Sequence, residues 1–267
     1  MESDHSDEEG QLEDGNATPE DATEQAEDDG LDESSKLEQF ETKMKEAIDL
    51  ATQKAATGRV KALETLSNGF VKRYSPDFVD NQKITICDLI DKSLKKGKGA
   101  EVEAAAKLSI LLALQLHDSE EVYKELQGLL VQVVTDETAN PAVRAALASS
   151  LGGLCFLGGG ELSEVVNIMN TLEGIFSASF SKPEWSLPSF PQEIQALHYS
   201  CLSAWSLLLT LLSSEVVHRQ ADSTISKLRG LLLSSDVDIR IAAGEAIALV
   251  LEFAYDHNEV DNSNNQE

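Results

Sequence analysis

The stretch VRAALASSL at residues 143–151 decides the fold, because four other segments repeat its pattern in one shared register. Each segment carries an anchor residue and, seven positions later, a leucine or an isoleucine. The five anchors are Arg59, Glu103, Arg144, Gln195 and Arg240. The residues seven positions after them are Leu66, Ile110, Leu151, Leu202 and Ile247. The anchors lie 44, 41, 51 and 45 residues apart, which is the spacing of two-helix HEAT or armadillo repeats.

This spacing predicts an all-α, armadillo/HEAT-like α-solenoid of about five helical pairs. Apolar residues recur at steps of three and four, which indicates helices that bury one face, and no segment shows the two-residue alternation of strands. The predicted pairs cover about residues 37–51 and 58–70, 78–94 and 100–117, 119–135 and 140–156, 161–180 and 193–212, and 214–232 and 236–255. A solenoid presents an extended surface, so the fold indicates a protein that binds other macromolecules.

Signals at the helix ends support these limits. Asn140 followed by Pro141 is typical of a helix start, and Ser235 or Asp236 is expected to cap the last helix. Trp205 lies in the repeat register and is predicted to be in the core. In the last helix we expect a buried stripe made of Val237, Ile241, Ile247, Val250 and Leu251.

The net charge of −26 is distributed unevenly over the 267 residues. Residues 1–35 contain 15 Asp or Glu and no Lys or Arg, and we expect them to form a disordered acidic arm. The rest of the chain holds 32 acids and 21 bases, which disfavours broad electrostatic binding to nucleic acid, and no direct DNA binding is expected. Residues 36–255 are predicted to form the superhelical domain, and residues 256–267 a disordered polar tail.

The sequence also predicts a compartment. The acidic, polar N-terminus resembles neither a secretory signal nor a transit peptide, and the most apolar stretch, residues 202–212, is too short to span a bilayer. Cys87, Cys155 and Cys201 form no Cys-x-x-Cys pair, so we interpret them as buried, reduced thiols. We therefore expect a cytoplasmic and/or nuclear protein that contacts no membrane.

No catalytic site is predicted. None of the five histidines lies at a metal-ligand spacing from another His or Cys, and His198 is interpreted as a core or groove histidine in preference to a general base. The run Gly158–Gly160 lacks the Lys-Ser or Lys-Thr of a P-loop and is interpreted as a flexible turn between repeats. We predict no enzymatic activity, no catalytic or metal-binding residue, and no cofactor.

Basic residues form two modest clusters, which are interpreted either as solvated helix ends stabilised by the helix dipole or as a docking patch. The patch would bind an RNA backbone or an acidic partner, and it is favoured if both clusters lie on one face. The clusters are Lys54, Arg59, Lys61, Lys72 and Arg73, and Lys92, Lys95, Lys96 and Lys98. The anchors Arg59, Arg144 and Arg240 are predicted to bond the preceding turn or an acid of a neighbouring repeat, with ligand contact as the alternative.

A proline-bearing loop at residues 181–192 contains two aromatic residues, Trp185 and Phe190. Aromatic residues there either plug the edge of the stack or anchor a partner, and both interpretations stay open. The candidate partner-binding residues are Arg59, Lys61, Lys95, Lys96, Lys98 and Trp185.

Three strings give the chain a family resemblance: LKKGK at residues 94–98, LSAWSLLLT at residues 202–210 and DVDIRIAAGEAIAL at residues 236–249. With the acidic arm before them, these strings resemble the interferon-related developmental regulator family over about residues 36–255. The resemblance implies an armadillo-like superhelix and a regulatory protein without enzymatic activity. It also implies a role in transcriptional co-regulation, or in binding ribosomes to repress translation.

Members of that family usually continue into a strongly basic C-terminal region, whereas this chain stops soon after residue 249. If RNA or ribosome contact depends on the basic region, this chain is expected to keep only protein docking. The expected partners are therefore proteins, either transcriptional regulators or ribosome-associated proteins, with direct contact to RNA or the ribosome as the alternative.

Overall fold

The computed structural model describes residues 32–180 and 188–264, with side chains up to residue 255. Within these residues the chain forms ten α-helices, two short 3-10 helices (Ser177–Ser179 and Arg229–Leu233) and no strand. The α-helices are α1 (Glu33–Leu50), α2 (Ala56–Lys72), α3 (Pro76–Lys96), α4 (Ala100–Leu114), α5 (Glu120–Thr135), α6 (Pro141–Gly158), α7 (Leu162–Phe176), α8 (Gln192–Leu209), α9 (Ser214–Leu228) and α10 (Val237–Asn264).

The chain divides into two compact units, Met1–Lys43 and Met44–Glu267. The described part of the first unit is the start of α1, where the Asp32 carboxylate accepts a hydrogen bond of 2.8 Å from the Ser35 backbone N–H. This bond caps the helix, satisfies one of its free N–H groups and lowers the pKa of Asp32. The predicted arm and tail, residues 1–35 and 256–267, stay predictions, although α1 already begins at Glu33 and α10 continues to Asn264.

The second unit stacks helices as a solenoid does. The second helix of each pair packs against the second helix of the next, so that α2, α4, α6, α8 and α10 form a ladder. The first helices α3, α5, α7 and α9 each pack on the second helix of their own pair. The predicted all-α solenoid is therefore confirmed, with the pairs in the predicted order along the chain.

Atomic contacts show that α4 and α6 run parallel, with an offset of two to three residues between their anchors. The Ser150 hydroxyl on α6 donates a hydrogen bond of 2.7 Å to the Ala106 carbonyl on α4, and these residues lie six and three positions after their anchors. Gly153 on α6 also lies against Ile110 on α4. Leu66, Leu151 and Leu202 are fully buried, while Ile110 and Ile247 are half-buried. The shared pattern in the sequence thus corresponds to one continuous apolar seam.

Two predicted helix starts are confirmed in atomic detail. The Asn140 side chain accepts a hydrogen bond of 2.8 Å from the Ala142 N–H, with Pro141 in the first turn of α6. The Asp236 carboxylate accepts a hydrogen bond of 3.0 Å from the Ile239 N–H and so caps α10. Each cap fixes the position at which a ladder helix begins, and therefore its register against the previous one.

The stripe predicted for the last helix is wrong at three of its five positions. Val237, Ile241 and Leu251 are more than half exposed, whereas Val250 is buried and Ile247 is half-buried. The residues that α10 buries are smaller on average: Ile239, Ala242, Ala243, Ala246 and Val250. Three of these five residues are alanines, and α10 packs against α8 and α9 with this small-residue face.

Helix α6 is the third of the five ladder helices and is strongly apolar. Among the described residues, only this helix is long and apolar enough to cross a membrane by length and composition. Its apolar face packs against α4, α5 and α8, and Leu147, Leu151 and Leu154 are fully buried. Protein packing therefore accounts for the composition of α6.

Candidate partner-binding site

Arg59 forms the strongest polar contact at the first junction of the ladder. Its guanidinium donates two hydrogen bonds of 2.7 Å to the carboxylate of Glu101 on α4. It also donates to the backbone carbonyls of Gln53 and Lys54, at 3.1 Å and 2.7 Å, in the preceding turn. The bond to Glu101 raises the pKa of Arg59. Glu101 is buried, so Arg59 supplies the cation that this carboxylate needs away from water.

A cleft of about 360 Å³ lies beside this ion pair, between the end of α3 and the start of α2. Arg59, Lys92 and Lys96 line it together with the buried Glu101. The structure therefore brings members of both predicted basic clusters to one place, since Arg59 belongs to the first cluster and Lys92 and Lys96 to the second.

The other candidate lysines lie outside this group of lining residues. Lys61 is exposed on the outer face of α2, and Lys98 is exposed in the connection before α4. The Lys95 ammonium is 2.8 Å from the carboxylate of Asp91, one turn earlier on α3. Lys92 and Asp88 form a looser pair at 3.9 Å, and both are about two-thirds exposed. Acids on the same helix thus partly neutralise the basic end of α3.

The short connection between α3 and α4 fixes where these lysines lie. Gly99 has φ +52° and ψ −120°, a conformation that residues with a side chain rarely adopt. At Gly97, an added methyl carbon would lie only 2.3 Å from the Ser93 carbonyl oxygen. Both glycines are needed for the tight turn that carries Lys96 and Lys98 past the start of α4.

The other two anchor arginines bond backbone carbonyls of the turn before their helix. Arg144 is buried and donates a hydrogen bond of 2.9 Å to the Val134 carbonyl at the end of α5. Arg240 donates to the carbonyls of Ser234 and Ser235, at 2.8 Å and 3.1 Å. The predicted structural role of all three anchor arginines is therefore observed. The sequence did not identify Glu101 as the partner of Arg59, because 42 residues separate them and only the stacking of α2 on α4 brings them together.

His198 is buried, as predicted for a core histidine. Its Nδ1 is hydrogen-bonded to the Ser179 hydroxyl at 2.6 Å, and the Phe190 ring meets its ring edge to face with centroids 5.0 Å apart. Burial, with a smaller effect from the Arg144 charge, lowers the pKa of His198 to about 4. The imidazole is therefore neutral at pH 7 and holds the 3-10 helix Ser177–Ser179 against α8.

The structure tests the interpretation of Phe190 but not that of Trp185. Phe190 is half-buried and packs on His198, which matches the interpretation of an aromatic residue that plugs the edge of the stack. Trp185 lies outside the described residues, so its role as a partner anchor stays a prediction. Trp205 is buried, and its ring packs edge to face on Phe176 with centroids 6.1 Å apart.

The cysteines are buried and unpaired with one another. Burial is the main cause that raises the pKa of Cys87 to about 11 and that of Cys201 to about 12. Both thiols are therefore protonated at pH 7, and a protonated, buried thiol is a poor nucleophile and a poor metal ligand. Among the side chains that the structure describes, no three His, Cys, Asp or Glu are grouped to hold a metal ion.

Comparison with known proteins adds a family match. The family model described as "Interferon-related developmental regulator" matches residues 13–267. Interferon-related developmental regulator 2 of Mus musculus is 38% identical over 232 residues, covering 86% of this chain and 53% of that protein. Interferon-related developmental regulator 1 of Homo sapiens is 36% identical over 227 residues, covering 84% of this chain and 50% of that protein.

The similarity to a solved structure is weaker. The crystal structure of an engineered protein is 16% identical to this chain and covers 78% of each chain with a TM-score of 0.48. The fold assignment rests on the helices themselves. The chain spans about half the length of the curated relatives that it matches.

Proposed function

Because the chain belongs to the interferon-related developmental regulator family, we propose that it is a non-enzymatic scaffold that binds other proteins in transcriptional co-regulation. The names of its relatives describe regulators. Those relatives are about twice as long, so the activity of the whole proteins enters here only as a proposal. The proposed role requires a nuclear location, or shuttling between nucleus and cytoplasm.

One observation supports protein partners in preference to nucleic acid. Acidic side chains already pair with two of the bases around the end of α3. Arg59 on the neighbouring α2 pairs with Glu101, and Lys95 pairs with Asp91. A phosphate backbone would have to compete with these carboxylates, and it would meet a chain that carries more acids than bases. Side chains that protrude from a ladder of parallel helices suit the recognition of another protein surface.

A recruitment assay tests this function. The full chain is fused to a sequence-specific DNA-binding domain, directed to a reporter promoter and compared with the DNA-binding domain alone. We expect the reporter transcript level to change while the decay rate of the transcript stays constant. An unchanged transcript level, combined with less protein made per transcript, would contradict the proposal and favour a role in translation.

Translational repression through ribosome contact is the second candidate. Its specific support is the cleft in which Arg59, Lys92 and Lys96 come together, since clustered cations bind RNA phosphates. Ribosome co-sedimentation of the full chain at rising salt concentration tests it. This candidate requires a steep loss of binding with salt, and a further loss when Lys92 and Lys96, which line the cleft, are changed to Glu. The variant Lys124→Glu, at an exposed lysine of α5 outside both basic clusters, is the matched control.

A further inference from the structure

A row of exposed apolar side chains crosses the ladder near the C-terminal ends of its helices. On each helix the residue lies eleven or twelve positions after the register anchor. Between 37% and 65% of each residue is exposed, although the sequence pattern alone would place large apolar residues in the core. We call these residues the apolar row: Val71, Leu114, Phe156, Leu207 and Leu251.

The row residues lie at similar heights on neighbouring helices. Leu114 and Phe156 follow the adjacent residues Ile110 and Gly153 by four and three positions, and Phe156 and Leu207 follow the adjacent residues Gly152 and Ala204 by four and three positions. Gln115, next to Leu114, donates a hydrogen bond of 2.9 Å to the carbonyl of Phe70, next to Val71. Packed helix axes lie roughly 8–10 Å apart, so large side chains at matching positions reach one another or nearly so. Contiguous exposed apolar surface of this kind marks interaction sites.

The surface beside the row is uncharged on α6, whereas α4 exposes Glu103 and Lys107 and the start of α8 exposes Glu193. On α6, Ala142 and Ser149 are exposed at seven-residue steps before Phe156. On α8, Ala196 and Tyr199 are exposed on the side of the helix that carries Leu207. Small, uncharged residues on α6 leave room for a partner to approach this helix without the cost of desolvating a charge there.

Acidic residues border the row at the edge where its helices end. The connections that leave α4 and α6 contain Asp118 and Glu161 and no Lys or Arg. The first turns of α5, α7 and α9 carry Glu120, Glu121, Glu164 and Glu215. Three of these acids are already paired: Glu120 with Lys124, Glu121 with Lys83 and Glu215 with Arg219. Asp118, Glu161 and Glu164 remain, and we call these three residues the acidic margin.

We propose that the middle of the apolar row, from Leu114 through Phe156 to Leu207, docks a basic amphipathic helix of a partner protein. The apolar face of that helix covers the row, and its Lys and Arg side chains meet the acidic margin. Charge complementarity selects this occupant, because an acidic helix or a nucleic acid backbone would meet like charge there. The inference rests on the proposed function, since it names the surface through which the scaffold binds a protein.

Fluorescence anisotropy with synthetic probe peptides tests the proposal on the full chain. The probe is a fluorescein-labelled peptide of Leu and Lys with its leucines at helical spacing. Two comparison peptides carry the same pattern with Glu replacing Lys, or with Ser replacing Leu. We expect the Leu/Lys peptide to bind at least about tenfold more tightly than either comparison peptide, because binding needs both the apolar face and the basic charge.

Substitutions locate the binding surface. The double variant Phe156→Ser with Leu207→Ser should weaken binding of the Leu/Lys peptide at least about tenfold. Both side chains are more than a third exposed, so circular dichroism and the melting temperature should stay close to those of the unchanged chain. Ile84→Ser on α3 is the matched control, since Ile84 is 77% exposed and lies outside the row.

A second variant, Asp118→Asn with Glu161→Gln, should weaken binding and reduce its salt dependence.

Several results would overturn the proposal. One is equal binding of the Leu/Lys peptide by the double variant and the unchanged chain, and another is equal binding of the Leu/Lys and Leu/Glu peptides. Sedimentation that shows self-association, lost in the double variant, would assign the row to a second copy of the chain. Loss of binding to a short RNA in the double variant would assign it to nucleic acid. An unchanged reporter transcript level in the recruitment assay would refute the transcriptional role. It would not affect the docking proposal, because peptide binding is measured independently.

Discussion

Gly152 on α6 lies directly against Ala204 on α8. A methyl carbon built at Gly152 would lie only 2.6 Å from the Ala204 Cβ and 3.1 Å from its Cα. Favourable carbon–carbon contact requires about 3.5–4.0 Å, so the missing side chain is what lets these two ladder helices touch. This contact therefore sets the spacing of α6 and α8 at their junction.

The variant Gly152→Val should therefore lower the free energy of unfolding by about 2 kcal/mol, because overpacking a closely packed site forces helices apart. Urea denaturation at pH 7 measures this free energy. The control is Gly128→Val on α5, where nothing lies within 4 Å of the added carbon. Because glycine is a poor helix former, the control should be neutral or slightly more stable. Similar losses for both variants would show that the close approach is not responsible.

Gln115 holds the turn between α2 and α3 from the neighbouring repeat, and its removal should be costly. The buried side chain accepts a hydrogen bond of 2.7 Å from the Ser75 N–H and donates one of 2.9 Å to the Phe70 carbonyl. Gln115→Ala leaves both backbone groups without these bonds, so we expect a loss of about 2–3 kcal/mol in the free energy of unfolding. Chemical denaturation is the measurement.

The exposed Gln132 on α5 provides the matched control for Gln115. Gln132→Ala should change the free energy of unfolding by less than about 0.5 kcal/mol. If Gln115→Ala is equally mild, water replaces the lost bonds and the turn does not depend on this side chain.

Gly99→Ala tests the strained turn that carries the lysines. With φ at +52°, an alanine side chain would crowd the backbone, and we expect a loss of about 1–2 kcal/mol in the free energy of unfolding. Gly174→Ala on α7 is the control, because that glycine is exposed and helical with open space around it. It should gain stability. A stabilised Gly99→Ala variant would mean that the connection adopts a different conformation in solution.

The Arg59–Glu101 pair predicts a ranked series of melting temperatures. Arg59→Gln should melt lowest, because it leaves the buried Glu101 carboxylate without a cation. Arg59→Lys should lie between this variant and the unchanged chain, since lysine restores the charge without the two parallel hydrogen bonds. Lys92→Gln should melt like the unchanged chain, because its pair with Asp88 is exposed. Equal melting of Arg59→Lys and Arg59→Gln would contradict the role of the paired bonds.

His198 predicts a pH dependence of stability with a definite sign. Its pKa is about 4 in the folded chain and about 6.5 when unfolded, so between these values the unfolded chain binds the proton that the folded chain excludes. Stability should therefore fall as the pH drops from about 6.5 to 4, by roughly 2–3 kcal/mol from this group. Above about pH 6.5 its contribution is constant.

Urea denaturation across this pH range, compared between the unchanged chain and His198→Gln, isolates the histidine from the carboxylates that titrate nearby. The difference between the two should shrink as the pH falls from 6.5 to 4. A constant difference would show that the folded imidazole takes up its proton as readily as the unfolded one.

Much of the fold was predictable from local pattern. The shared register identified the ladder helices, and the anchor position identified arginines that bond their own turns, because those carbonyls lie five to ten residues away in sequence. The start of α6 was predictable for the same reason, since its cap requires only Asn140 and Pro141.

Relationships between repeats were not predictable in the same way. Glu101 bonds Arg59 across 42 residues of sequence, and Gln115 bonds Phe70 across 45. Both contacts exist only because α2 and α4 stack. The orientation of α10 was missed because its packed face uses alanines, which contribute little to a pattern based on side-chain size. Exposure of the apolar row was missed because periodicity identifies an apolar side of a helix but not whether a neighbour covers its last turn.

Side-chain hydrogen bonds join α2 and α4, the first junction of the ladder, at both ends. Arg59 joins α2 to α4 where these helices begin, and Gln115 joins them where they end. Polar contacts at both ends prevent the two helices from rotating against each other, because any rotation must break one of the contacts. If the chain is pulled by its termini in a single-molecule experiment, this junction should yield late. Elastic bending would then be borne mainly by junctions that rely on close apolar contact.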